Sequence, residues 1–303
     1  MSKLITVFGA TGNQGGSVVA QLLADSALSQ EFKIRGITRD TSKPAAQELA
    51  KKGVELVTAD LNSKESLQAA LKGSHTVFLV TNYWETANPT TEITQGKNVA
   101  DVAKEVGVQH LIFSSLLNVT KTSDGRLTHV PHFDGKADIE QYIRDSGVPA
   151  TFFLPGYFMS NLDQMIRPGQ DETLIWALPV SKDAKFPFLD IKNDTGKFVT
   201  AIIKNRSSVL GAQILGAEAY YTPEQALDIL AEVTGKKTAF VQLDEKTYKS
   251  FLPEPVAQEL LENHLFIEVP GYYGGESLEK SHAILDKKLV SLKEYLEKSS
   301  FNA

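Results

Sequence analysis

Ile5-Thr6-Val7-Phe8-Gly9-Ala10-Thr11-Gly12-Asn13-Gln14-Gly15-Gly16 is an apolar strand that runs straight into a glycine-punctuated turn. Gly9 lets the chain leave the strand in a conformation closed to residues with side chains. Gly12 lacks the Cβ that would hold a pyrophosphate off the backbone. Gly15 lets the following helix, about 14–25, pack closely on the sheet. The free N–H groups and positive dipole end of that helix then face the anion, with Thr11, Asn13 and Gln14 in the same turn. A glycine triplet alone is a weak signal. Between a strand and an amphipathic helix it reads as dinucleotide binding. The spacing here is G-x-x-G-x-x-G, not the G-x-G-x-x-G of the typical Rossmann dehydrogenase.

Outward from this turn, strand-like runs at 4–8, 33–38, 55–58, 76–80, 110–114 and 151–154 alternate with helical patterns. The helices are expected near 15–25, 43–52, 64–72, 90–106 and 134–146. Gly53, Gly73, Gly107 and Gly147 each close a helix before the next strand. Such alternation predicts an α/β fold, a Rossmann-type doubly wound parallel sheet. After Pro155-Gly156 the rhythm changes, and a smaller mixed α/β C-terminal lobe is expected. The expected division is a nucleotide domain over 1–155 with a return segment at 194–220, and a lobe formed by 156–193 and 221–303. Thr222-Pro223-Glu224-Gln225 specifies a helix start, with Thr222 as cap and Gln225 completing a capping box; Gly235 stops that helix. The charge-rich stretch 287–298 reads as a solvated helix face.

The chain has 303 residues and carries 31 basic against 37 acidic side chains, a formal net charge of −6. That balance argues against direct nucleic-acid binding, which favours a basic face. There are no cysteines, so disulfides, thiolate catalysis and Cys-ligated metals are excluded. No apolar run has the length of a membrane span, and Met1-Ser2-Lys3-Leu4 enters the first strand at once. A cytoplasmic protein is expected, with nuclear access left open. His129 and His132 lie three apart without further ligands nearby, so no metal site is expected. His75, His110 and His264 read as structural.

The end of the second strand selects the nucleotide. Gly36-Ile37-Thr38-Arg39-Asp40-Thr41-Ser42-Lys43 puts Arg39 where NAD enzymes carry a carboxylate. Its guanidinium can pair with a 2′-phosphate in two-pronged fashion, and Lys43 can add a point charge. NADP(H) is therefore favoured over NAD(H), although Asp40 stands one residue away. Asp60, after the third strand, is suited either to the adenine edge or to a helix cap.

Four segments, Gly9–Gly16, Thr81-Asn82-Tyr83-Trp84-Glu85, His132-Phe133-Asp134-Gly135-Lys136 and Leu154-Pro155-Gly156-Tyr157-Phe158, resemble the NmrA-like family of atypical short-chain dehydrogenase/reductases. The second and third resemble especially its animal NADPH-sensing branch, known as HSCARG. The resemblance implies a Rossmann domain with a small C-terminal lobe, and NADP(H) bound by Gly9–Gly15, Arg39, Asp60, Thr81, Asn82, Lys136, Tyr157 and Phe158. It implies a redox sensor or regulator that meets a protein partner in a redox-dependent way, with a homodimer left open. Other relatives are NADPH-dependent reductases, so reduction of a small carbonyl, quinone or imine compound is the alternative.

A working enzyme of this type pairs a tyrosine with a lysine four residues on, both on one helix face. Here the lysine is kept as Lys136 and the tyrosine is replaced by His132. Histidine can donate a proton near neutral pH, and packing is the competing role. The serine position falls on Leu116, beside Ser114 and Ser115. Tyr83 and Phe158 are the aromatic candidates for a substrate pocket.

Overall fold

The protein is described here by a computed structural model covering residues 2–302. Six strands follow the expected order: β1 (Lys3–Val7), β2 (Phe32–Ile37), β3 (Glu55–Val57), β4 (Thr76–Leu79), β5 (His110–Ser114) and β6 (Ala150–Pro155). A seventh, Gln213–Gly216, pairs with β6. Together they form one sheet in the order 213–216, β6, β5, β4, β1, β2, β3, with every pairing parallel. The strands read as near-continuous Val, Ile, Leu and Phe because helices cover both faces of such a sheet. Ile5, Val7, Val77, Phe78, Ile112 and Phe153 are fully buried.

Helix α1 (Asn13–Ala24) buries Val18, Val19 and Leu22 on the sheet. Its outer neighbour is helix Thr195–Lys204, where Gly196 donates its N–H to Ser17 Oγ at 2.9 Å. A Cβ at Gly196 would lie 2.2 Å from the Ser17 carbonyl oxygen, so only glycine admits that approach. Two helices start earlier than their patterns suggest, at Pro89 and Pro131, because proline suits the first helical position.

The remaining strands form two three-stranded sheets, ordered 219–221, 186–189, 157–158 and 238–242, 174–178, 166–168. Helix Pro223–Thr234 carries the expected Thr222–Gln225 capping box and ends at Gly235. Helix Glu254–Phe266, for which the sequence offered no clear start, meets helix Pro131–Ser146 through the Glu259–His132 pair. Within 287–298 only Leu292–Leu296 is α-helical; its leucines Leu292 and Leu296 are buried, while the charged Lys288, Lys293 and Glu294 lie on the solvated face. Trp176 is wholly buried against Phe186, Phe188 and Phe240 and belongs to the core. No helix among the described residues is long and apolar enough to cross a membrane.

Candidate functional site

The chain runs β1, β2, β3 to one side and then returns through β4 on the other side of β1. Ligands in doubly wound sheets bind at this reversal, beyond the strand C-termini. The glycine turn sits there. Gly9 has φ +62°, which only glycine takes without strain, and Gly12 donates to its carbonyl at 2.8 Å. Gly12 then caps α1 with no side-chain acceptor, and no acidic residue occupies the first helical turn. The helix start therefore keeps its donors for an outside anion. A cavity of about 1030 Å³ opens over this turn, walled by Gly9, Thr11, Gly12, Asn13, Gln14 and Gly15. The backbone cradle and its missing Cβ atoms fit a pyrophosphate.

At one end of the cavity stands Arg39, its Nη1 2.8 Å from Glu85 Oε1 in an exposed pair. Such a surface pair is weak and can be exchanged for a phosphate. Asp40 is occupied elsewhere: Oδ1 accepts from the Ser42 backbone at 2.9 Å and from Ser42 Oγ at 2.6 Å. These bonds also hold its carboxyl below the usual range. Lys43 is absent from the cavity wall and serves as the backbone N-cap of helix Pro44–Lys51. Asp60 lines the cavity, with Oδ1 accepting from Asn62. The cap of helix Lys64–Leu71 is Ser63, which removes the alternative reading of Asp60.

Thr81 and Asn82 follow β4 along the same wall. Lys136 reaches Thr81, with Nζ 2.9 Å from its Oγ1, and forms a buried ion pair with Glu92. Burial pulls the Lys136 pKa below the ordinary lysine value, while Glu92 pulls it back up. Glu92 Oε2 is buried without a partner. Sequence reading missed Glu92 because it lies in the middle of helix Pro89–Glu105, with no motif around it. Ser114 donates to Gln14 Oε1 at 2.8 Å, and Ser115 to Glu140 at 2.6 Å, away from the site. Leu116, which the sequence register puts at the serine position, lines the cavity.

His132 also lines the cavity, and its Nδ1 is hydrogen-bonded to Glu259 Oε1. The other carboxylate oxygen of Glu259 accepts from Tyr83 Oη at 3.2 Å. Burial and Glu259 together push the Tyr83 phenol up to about 12. The His132 ring packs against Tyr83 and Trp84, with centroids 5.9 and 5.1 Å away. One turn along helix Glu254–Phe266, Glu262 meets Nδ1 of His129, which lies just before helix Pro131–Ser146, at 2.6 Å. Both histidines are thus paired with carboxylates, and no metal-holding cluster exists among the described residues.

Beyond His132 the cavity continues between Tyr157, Phe158 and the helix 254–266. Tyr248, Asn263 and His264 line this end. Tyr157 Oη lies 2.9 Å from Met165 Sδ, and burial raises its pKa. His264, expected to be structural, is buried and also lines the cavity; burial lowers its pKa to about 4. These residues come from distant segments, and no local pattern in the sequence joins them.

The model of the NmrA-like family matches residues 1–296. An NmrA-like family domain-containing protein of Dictyostelium discoideum is 32% identical, over 99% of both chains. The NmrA-like family domain-containing oxidoreductase malD of Malbranchea aurantiaca is 35% identical over 80% of this chain and 76% of its own. The crystal structure of NmrA, a negative transcriptional regulator in complex with NADP, superposes with a TM-score of 0.83 at 23% identity. That likeness covers 98% of this chain and 95% of the other.

Proposed function

Since the chain belongs to the NmrA-like family, we propose that it binds NADP(H) along this cavity and reduces a small carbonyl, quinone or imine compound. The observation that supports this most is the cavity's continuity. It runs from the glycine turn past Lys136 and the His132–Glu259 pair into a further chamber. Bound NADPH would supply a hydride there. The N–H groups at the start of α1 hold the pyrophosphate. Arg39 exchanges Glu85 for the 2′-phosphate, and Lys136 holds the nicotinamide ribose. Thr81, Asn82, Tyr157 and Phe158 wall the nicotinamide, and Asp60 meets the adenine edge. Protonated His132 donates from Nε2 to the substrate heteroatom that gains charge. Glu259 keeps Nδ1–H in place, so the ring stays oriented as it becomes neutral. The second lobe excludes water.

Steady NADPH oxidation is therefore expected with some member of a carbonyl, quinone and imine panel. His132→Phe should abolish it while largely sparing NADPH binding, because the acid acts on the substrate. Turnover that survives this substitution would overturn the role of His132. Arg39→Ala should weaken NADPH by roughly ten- to a hundredfold, the worth of a charge-assisted pair, and leave NADH nearly unchanged. Titration with both nucleotides checks this, and equal losses would remove the phosphate assignment.

A second reading, a redox sensor like the NADPH-sensing branch, is favoured by one observation. Glu259 of the second lobe grips both Tyr83, in the loop after β4, and His132. A ligand that binds one arrangement of these groups more tightly shifts the population, and with it the surface offered to a protein partner or a second copy. Under that reading the panel gives no turnover above background. NADPH then changes protease sensitivity at 82–89 or 118–131, or alters the assembly size.

A further inference from the structure

The turn that follows β4 touches both ends of the cavity. Tyr83, Trp84 and Glu85 form one short helical turn, and the Ala87 N–H closes it on the Tyr83 carbonyl oxygen at 2.8 Å. Its side chains have different partners. Glu85 Oε1 lies 2.8 Å from Arg39 Nη1, at the end of the cavity assigned to the 2′-phosphate. At the substrate end, Tyr83 Oη donates to Glu259 at 3.2 Å, and the Trp84 ring packs on His132 with centroids 5.1 Å apart. The chain leaves the turn through Ala87, whose φ of +47° is costly for a residue with a Cβ. A backbone kept off its preferred conformation depends on the contacts around it, and Glu85 and Tyr83 supply two of them.

The Arg39–Glu85 pair is a competitor built into the site. Among the described residues Arg39 pairs with this carboxylate, while nearby Asp40 is bound to Ser42 and Asp60 to Asn62. Both partners are exposed, so the pair is weak on its own. A phosphate brings more charge and more acceptor oxygens than a carboxylate and takes the guanidinium from it. Glu85 then has lost its partner and faces a like charge, which drives it away. NAD(H) carries a neutral hydroxyl at the same place and leaves the pair intact.

We propose that Glu85 is a cofactor-specificity determinant that stands in for the 2′-phosphate on Arg39, and that its release by NADP(H), not by NAD(H), resets the Tyr83–Glu85 turn beside His132. This rests on the reading of Arg39 as the phosphate ligand. Glu85 lowers the affinity for NADP(H) that Arg39 would otherwise give, and in exchange couples the two ends of the cavity. The link is one turn of chain, with no movement of the sheet required. The phosphate binds the released arrangement more tightly than the paired one, which is the differential affinity that a population shift needs.

Glu85→Gln in the full chain should bind NADP⁺ roughly three- to tenfold tighter, because the competing charge is gone, and bind NAD⁺ nearly as wild type does. Unchanged or weaker NADP⁺ binding in calorimetric titration would overturn the specificity role. Tryptophan emission tests the coupling. The chain has two tryptophans, of which Trp176 is wholly buried and Trp84 half exposed. Adenosine 2′,5′-bisphosphate carries the 2′-phosphate but no nicotinamide, so it leaves the substrate end empty. At saturation it should change the emission of the wild type, and 5′-AMP should not. Trp84→Phe should remove the response, and Glu85→Gln should lose most of it, since its turn is already released. A full response in Glu85→Gln would mean direct contact between ligand and indole. That result, a response that survives Trp84→Phe, an equal response to 5′-AMP, or no response in saturated wild type would overturn the coupling. The phosphate reading of Arg39 fails separately, if Arg39→Ala loses NADP⁺ and NAD⁺ affinity equally.

Discussion

Gly12→Val is expected to abolish binding of NADPH and NADH alike while the protein still folds. A Cβ at Gly12 would meet nothing closer than the Gly9 carbonyl oxygen at 3.3 Å, a tight contact that a small shift relieves. The branched side chain would instead occupy the space over the turn that a pyrophosphate needs, and a loss of at least roughly a hundredfold, about 3 kcal/mol, should follow. Gly15→Ala should behave differently. Its Cβ would lie 2.3 Å from the Gly9 oxygen and 2.5 Å from the Phe8 oxygen, both backbone atoms that cannot turn aside. The helix must move off the sheet, at a cost of about 1–3 kcal/mol or more. A fall in thermal midpoint with Gly15→Ala but not with Gly12→Val, combined with nucleotide titration, separates packing from ligand approach. A folded Gly12→Val variant that keeps its NADPH affinity would place the nucleotide elsewhere.

Lys136→Met should cost about 3–5 kcal/mol of stability, because it strands the Glu92 carboxylate. Glu92 is 1% exposed and one of its oxygens already lacks a partner. Replacing both members, Lys136→Met with Glu92→Leu, should recover most of that loss, since an apolar pair of similar size packs without desolvation. Denaturant midpoints measure both effects. NADPH binding should stay weak in the double variant if Lys136 also holds the nicotinamide ribose. Full recovery of binding together with stability would make the lysine purely structural. The comparison matters because the same side chain answers two demands, neutralising a buried glutamate and meeting a cofactor.

The doubly wound core was legible because its signals are local. A helix or strand declares itself by the spacing of apolar residues, and the Gly9–Gly15 turn by backbone conformations and close approaches that side chains forbid. Gly147, for example, closes its helix with φ +76° as the sequence indicated. The C-terminal lobe was less legible. Its strands are short, and helix Glu254–Phe266 starts at a Pro253-Glu254-Pro255 stretch with no side-chain cap. Its buried face includes Glu259, Glu262, Asn263 and His264, so the apolar period that marks an amphipathic helix is broken by polar residues.

The same contrast holds within the site. From the amino-acid sequence alone followed the family, the parallel sheet, the glycine cradle, the arginine after β2, and the substitution of histidine for tyrosine four residues before Lys136. Each depends on residues close together in the chain. Tertiary structure alone decided the use of those groups. It set Asp40 on Ser42, left Lys43 outside the cavity, and paired Lys136 with Glu92 across 44 positions. It brought Glu259 to His132 across 127 positions and placed Asn263 one turn further on. Such partners meet only when helices from both lobes pack together, and their pairing depends on shape and burial over the whole chain, which no local spacing encodes.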